Sequence, residues 1–165
     1  MYTHKGQRVN TKRRSAVFLF VVQAIRREMW WYNVCMSERT TTKRRGDFGE
    51  MLACRYLVER GFTICARNYM PRRGIKRGEI DIVAKKDGVL HFVEVKTRFV
   101  RRGALVDPPE LRITREKLQA LNRTALAYLR AHNHTDAEYR FDAVAIVVCS
   151  ADKTARVRFL TDIFL

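Results

Sequence analysis

Two runs of sequence, Glu79 to Lys85 and Val89 to Lys96, place Glu79, Asp81, Glu94 and Lys96 among the apolar residues Ile80, Ile82, Val83, Phe92, Val93 and Val95. Asp87-Gly88 between them is a two-residue hairpin signal, and such a turn fixes the register: Asp81 faces Glu94, and Glu79 faces Lys96. Opposite residues of an antiparallel pair share a face with Cβ atoms about 4.5 to 5.5 Å apart, and residues two apart along a strand share it as well. All four charged groups are therefore expected on one patch. Two facing carboxylates repel, and partial burial raises their pKa, so something must offset the repulsion. A divalent cation between Asp81 and Glu94 does so, and a few hard oxygen ligands suit magnesium or manganese with waters completing the shell. Lys96 adds an ammonium group that can orient a water and stabilise charge on an attacked phosphate. This set of groups suits phosphodiester hydrolysis. The plainer alternative, a solvated charge ladder on a surface hairpin, is weakened by the core-like residues that surround the charges.

The elements that must hold this hairpin can be read from periodicity and punctuation. Asp47 to Arg60 carries Phe48, Met51, Leu52, Tyr56 and Leu57 at helical spacing and stops at Gly61. Phe62 to Asn68 reads as a strand preceding the hairpin. Phe99 to Ile113, with Gly103 and Pro108-Pro109, lacks a sustained period and reads as a loop. Thr114 then caps a helix reaching about Ala131, with Leu118, Leu121, Ala125, Tyr128 and Leu129 on one stripe. Tyr139 to Cys149 and Ala155 to Leu160 are the last strands. The order α-β-β-β-α-β-β predicts an α/β fold, a mixed sheet flanked by helices.

At this point the residues carry a resemblance. Gly78-Glu79-Ile80-Asp81-Ile82-Val83 followed by Phe92-Val93-Glu94-Val95-Lys96-Thr97-Arg98 resembles the PD-(D/E)XK nuclease superfamily, and within it the bacterial YraN-type family. The similarity runs from about Lys43 to Leu165 and includes Gly46-Asp47-Phe48-Gly49-Glu50, Arg67-Asn68-Tyr69 and Arg140-Phe141-Asp142-Ala143-Val144. It implies a restriction-endonuclease-like core with Asp81, Glu94 and the Val95 carbonyl as metal ligands and Lys96 as the catalytic lysine. Glu50 is similar to the helix glutamate that completes the site in archaeal Holliday-junction resolvases. The pattern departs in two places: Ile80 stands where the superfamily has its nominal proline, and Arg72 to Arg77 lengthens the approach to Gly78.

Charge points to the same class of partner. The formal net charge of +16 over 165 residues far exceeds what folding needs and draws polyanions. Residues 1 to 35 hold seven basic side chains against Glu28, a net of +6, which leaves +10 for the rest. Arg72, Arg73, Lys76, Arg77, Arg98, Arg101 and Arg102 flank the expected site and are the expected phosphate contacts, with Arg67 beside them; Lys117, Arg123 and Arg130 on the second helix are weaker candidates. Tyr69 and Phe99 could stack on bases or simply pack. His132-Asn133-His134 spells H-N-H without the spread of the nuclease motif of that name. Cys35, Cys54, Cys65 and Cys149 show no zinc spacing and are expected as buried thiols in a reducing cytoplasm.

Ser15 to Ile25 is apolar behind Lys12-Arg13-Arg14, but it is too short to span a bilayer and lacks a cleavage site. Residues 1 to 35 are therefore expected to lie outside the fold, without a sheet or helix partner, and 36 to 165 to form the domain. The expected function is magnesium- or manganese-dependent hydrolysis of DNA, including branched or repair substrates, in the cytoplasm and not at a membrane. The alternative is a non-catalytic nucleic-acid binding module that retains the fold; a basic protein of the ribosome or membrane surface explains the charge but not the buried carboxylates. Sequence leaves open DNA against RNA and monomer against homodimer.

Overall fold

The computed structural model describes residues 20–22, 42–71, 78–100, 114–149, 151 and 154–163. In chain order these form β1 (Phe20–Val22), α1 (Thr42–Val58), β2 (Thr63–Tyr69), β3 (Ile80–Lys86), β4 (Val89–Val100), α2 (Arg115–Ala131), β5 (Tyr139–Cys149) and β6 (Thr154–Leu160). One mixed sheet has the order β1-β6-β5-β4-β3-β2. β4 and β5 are parallel, joined through α2, and the other neighbours are antiparallel.

The expected α-β-β-β-α-β-β order and mixed sheet are found, with one addition. Phe20, Val21 and Val22 pair with Val157, Arg156 and Ala155, so β1 is an edge strand drawn from the stretch expected to lack a sheet partner. That expectation is corrected at these three positions.

Among the described residues, each face of the sheet carries one helix. Phe48, Leu52, Ala53, Tyr56 and Leu57 of α1 pack with Ile82, Ala84, Val93, Val144, Ile146 and Val148. Leu121, Ala125, Tyr128 and Leu129 of α2 pack on the opposite face with Val83, Leu90, Phe92 and Phe141. Alternation along the strands produces these two clusters, because successive residues point to opposite faces; it breaks on β3 at Asp81, across which Ile80 and Ile82 fall in opposite clusters.

The punctuation behaves as the residue types require. Gly61, at φ +81, ends α1: its N–H donates to Val58 O at 3.0 Å and the Phe62 N–H to Leu57 O at 3.1 Å. This double closure needs a left-handed residue, which glycine supplies without strain. α2 closes the same way on Asn133 (φ 55), with the His134 N–H on Leu129 O at 2.8 Å. The H-N-H string is thus a helix terminus, its His132 ring stacked 4.0 Å from that of Tyr128. Thr114 caps α2 as expected, accepting the Lys117 N–H at 3.3 Å.

Two boundaries differ from expectation. α1 begins at Thr42, five residues before Asp47, because Lys43, Arg44 and Arg45 are exposed helix formers that periodicity does not register. β4 runs on to Val100, so Phe99 lies in a strand and not in a loop; residues 101 to 113, the rest of that stretch, lie outside the described residues. Cys54 and Cys149 are half-buried and Cys65 exposed, so none of the three is buried as expected, and none is in a disulfide. Among the described residues no helix is long and apolar enough to cross a membrane.

Candidate active site

The hairpin turn puts Asp87 and Gly88 at φ 50 and +83, both left-handed, and the expected register follows: Lys86 pairs with Val89, Ala84 with His91, Ile82 with Val93. There the β3–β4 ladder stops. β3 stays with β2 as far as the Tyr69–Ile80 pair, and β4 stays with β5 as far as Val100–Cys149. The sheet therefore forks between its central strands, and the charged residues sit at the fork. Asp81 does not continue the ladder through its backbone; its Oδ2 accepts the Val95 N–H at 2.6 Å, satisfying a donor that the fork would strand.

A cavity of about 510 Å3 opens here, lined among others by Glu50, Asp81, Glu94, Val95, Lys96 and Arg98. Glu79 lines it too, but it is exposed and precedes β3, so the expected pairing of Glu79 with Lys96 is not made. Lys96 instead donates to Glu94 Oε1 at 2.7 Å along its own strand. Of the expected phosphate contacts, Arg72, Arg73, Lys76, Arg77, Arg101 and Arg102 lie outside the described residues, while Arg98 is exposed at the rim. Arg67 points towards Glu50, 3.7 Å away. Tyr69 and Phe99 pack: Tyr69 meets the Tyr128 ring edge-on at 4.9 Å, and Phe99 lies 6.2 Å from Phe48 with the Arg45 guanidinium 5.4 Å from its ring centre.

Two glycines allow these elements to close up. A Cβ on Gly49 would lie 1.8 Å from Thr97 Oγ1, so only glycine lets α1 lie this near β4 and bring Glu50 to the cavity. At the entry to β3 a Cβ on Gly78 would come within 3.2 Å of Ala120 on α2, and the Gly78 carbonyl accepts the Thr124 hydroxyl at 2.7 Å.

The electrostatics are those of crowded carboxyls. Burial first, and then the Glu94 charge, push the Asp81 carboxyl up to about 7, against the lowering effect of the Val95 N–H. Glu50 is also raised, chiefly by burial; a hydrogen bond with the Asn68 side chain and the Arg67 charge oppose that shift. Asn68 adopts a left-handed φ of 49, which asparagine tolerates better than most residues. Glu50 Oε2 is buried without a hydrogen bond.

Sequence reasoning underrated Lys117. Its Nζ lies 3.1 Å from Glu94 Oε2 as an ion pair without a hydrogen bond, so the carboxylate of Glu94, only 2 % exposed, has a hydrogen-bonded ammonium group on Oε1 and a less well aligned one beside Oε2. The signal was its place in the first turn of a helix beginning beside the hairpin, which spacing along the chain cannot reveal. Asp142 is fully buried away from the cavity lining, bonded to His91 Nδ1 at 2.5 Å and to the Asp162 N–H at 3.0 Å.

Comparison with known proteins gives a consistent result. The family model described as "Uncharacterised protein family UPF0102" matches residues 49–146, spanning both the helix glutamate and the hairpin. A UPF0102 protein of Dichelobacter nodosus is 44% identical over 110 residues, 67% of this chain and 82% of the relative. One from Geobacter sulfurreducens is 39% identical over 119 residues, covering 72% and 87% of the two chains. One from Trichlorobacter lovleyi is 38% identical over 104 residues, covering 62% and 76%. With the family model covering more than half of its length, the chain belongs to the UPF0102, or YraN-type, family.

Proposed function

We propose that this protein is a metal-dependent nuclease that hydrolyses phosphodiester bonds in nucleic acid, DNA foremost. The observation that carries the reading is the fork between β3 and β4, which gathers Asp81, Glu94, Val95 and Lys96 at one opening and receives Glu50 from α1. A surface charge ladder would continue its backbone pairing and leave its carboxylates in water. Here Glu94 is buried and the Asp81 carboxyl is pushed up to about 7.

The donor set fits a hard divalent cation. Among the described residues no group of three or more acidic, histidine or cysteine side chains is placed to hold a metal ion, so a cation would rest on two carboxylates and a backbone carbonyl and keep much of its shell as water, as magnesium prefers. Asp81, Glu94 and the Val95 carbonyl would hold it. When bound, such a cation supplies charge neutralisation and activation of water for attack at phosphorus. Lys96, exposed at the cavity, orients that water and stabilises charge developing on the phosphate. Glu50, raised by burial, completes the acidic lining and is suited to take up a proton. Arg45, Arg98 and Lys117 add positive charge for a polyanionic strand.

The two lysines on Glu94 favour a second reading, a non-catalytic nucleic-acid binding module in which ammonium groups balance the carboxylates permanently. Incubating the full chain with linear, flapped and four-way DNA and with RNA, in magnesium and in manganese, decides between them. Metal-dependent cleavage that disappears in Lys96→Ala supports the nuclease. Binding without cleavage in either metal overturns it in favour of the module.

A further inference from the structure

The two lysines on Glu94 are held differently. Lys96 follows two residues later on the same face of β4, so the strand itself keeps its ammonium group near. Lys117 reaches in from another element, its backbone N–H fixed by the Thr114 cap. Both lysines are partly exposed, Lys96 by 47% and Lys117 by 38%, but only Lys96 is hydrogen-bonded to Glu94; Lys117 stands 3.1 Å from Oε2, which has no hydrogen bond. A flexible four-carbon stem lets that ammonium group leave without any backbone movement. Glu94 has no such freedom: a carboxylate so buried needs a counter-charge.

We propose that Lys117 is the resident counterion of the metal-free site, yielding Glu94 Oε2 when a divalent cation enters the cavity. The inference rests on the metal site proposed above and assigns Lys117 a role that acts through Glu94, that of a positioning residue. With both lysines in place, an incoming cation meets a carboxylate already neutralised and two ammonium groups that repel it. Once Lys117 withdraws, one oxygen is open and one repelling charge is removed. The displaced ammonium group stays at the cavity wall, which Arg45 and Arg98 also line, where a phosphate is its natural new partner. Cation and polyanion then reinforce one another, since each removes what opposes the other, and such coupling is reciprocal.

The test is calorimetric titration of calcium and of manganese into the full chain without nucleic acid, for the parent, Lys117→Met and Lys117→Arg. Lys117→Met is expected to bind either cation about tenfold more tightly than the parent, a difference of about 1.4 kcal/mol. Lys117→Arg, which keeps the charge, should stay near the parent. Without cation Lys117→Met should melt lower than the parent, and adding cation should raise its melting temperature by more. A merely structural lysine would give the lower melting temperature but not the tighter binding. Should Lys117→Met fail to fold, Lys117→Gln poses the same question. Unchanged or weaker binding by Lys117→Met (or Lys117→Gln), with the parent binding normally, overturns the counterion role alone. No binding by parent or variants removes the metal site and this inference together.

Discussion

Asp81 Oδ2 holds the Val95 N–H at 2.6 Å at the point where the backbone ladder between their strands has just ended, at Ile82–Val93. One side chain thus substitutes for a missing backbone bond. An asparagine could accept the same N–H, which separates the structural role of this residue from its charge.

That separation gives a pH prediction. The Asp81 carboxyl is raised from 3.8 to about 7, so the folded chain binds this proton more tightly than the unfolded chain does. Its contribution favours the folded state at acid pH and is lost as pH rises through that interval. Without metal, Asp81→Asn should match the parent near pH 4 and exceed its stability by about 1 to 3 kcal/mol at pH 8. Denaturant melts at pH 4, 6 and 8 read this directly; a gap independent of pH would refute the assignment.

The carboxylates and the lysine should separate in function. On the proposed nuclease reading, Lys96→Ala is expected to abolish cleavage without weakening metal binding, because that reading sets the lysine to act on water and phosphate. Asp81→Asn and Glu94→Gln should weaken metal binding. From the facing-carboxylate argument alone, either neutralisation should also stabilise the metal-free protein. The structure restricts that expectation to Asp81, since Glu94→Gln strips two ammonium groups of their partner. Calorimetric magnesium titration and melting curves of the three variants test the pattern, and parent-like behaviour by all three would leave only a charge ladder.

The hairpin was legible in sequence because its information is local. Asp87-Gly88 dictates the turn, the turn dictates the register, and apolar residues on both sides dictate burial. Gly61 and Thr114 mark helix ends for equally local reasons. What could not be read depends on distant partners: Lys117 meets Glu94 only because α2 crosses that face, and Phe20–Val22 finds β6 only once the sheet exists. The length of β4 was missed because its second half gains its bonds from β5, not from the hairpin.

Gly49 offers a test of how α1 is set. Gly49→Ala would force a methyl group into Thr97 and should cost about 1 to 3 kcal/mol. Adding Thr97→Ala should recover part of that loss, because the hydroxyl and methyl it removes are two of the three clashing atoms. Melting of the two single variants and the double variant provides the cycle; strictly additive losses would show that the two sites do not meet.

The N-terminal strand makes a milder prediction. A chain beginning at Met36 loses β1, while the core around α1 and α2 keeps all its described members. It should melt in one transition, somewhat below the full chain, and bind nucleic acid with undiminished steepness against salt. An unfolded shorter chain would show that β1 is required, and a flat salt dependence would remove phosphate contact as the source of binding.

The parallel alignment of β4 with β5 has a consequence for the protein as it is made. The two strands pair from Leu90–Tyr139 to Val100–Cys149, so the strand bearing Glu94 and Lys96 gains its second neighbour only from the last part of the chain. Until Tyr139 and its successors have left the ribosome, β4 is an open edge of apolar residues, a template for sticking to other chains. Synthesis that stops early therefore leaves the strand bearing Glu94 and Lys96 with that edge unpaired, and the fragment prone to aggregation.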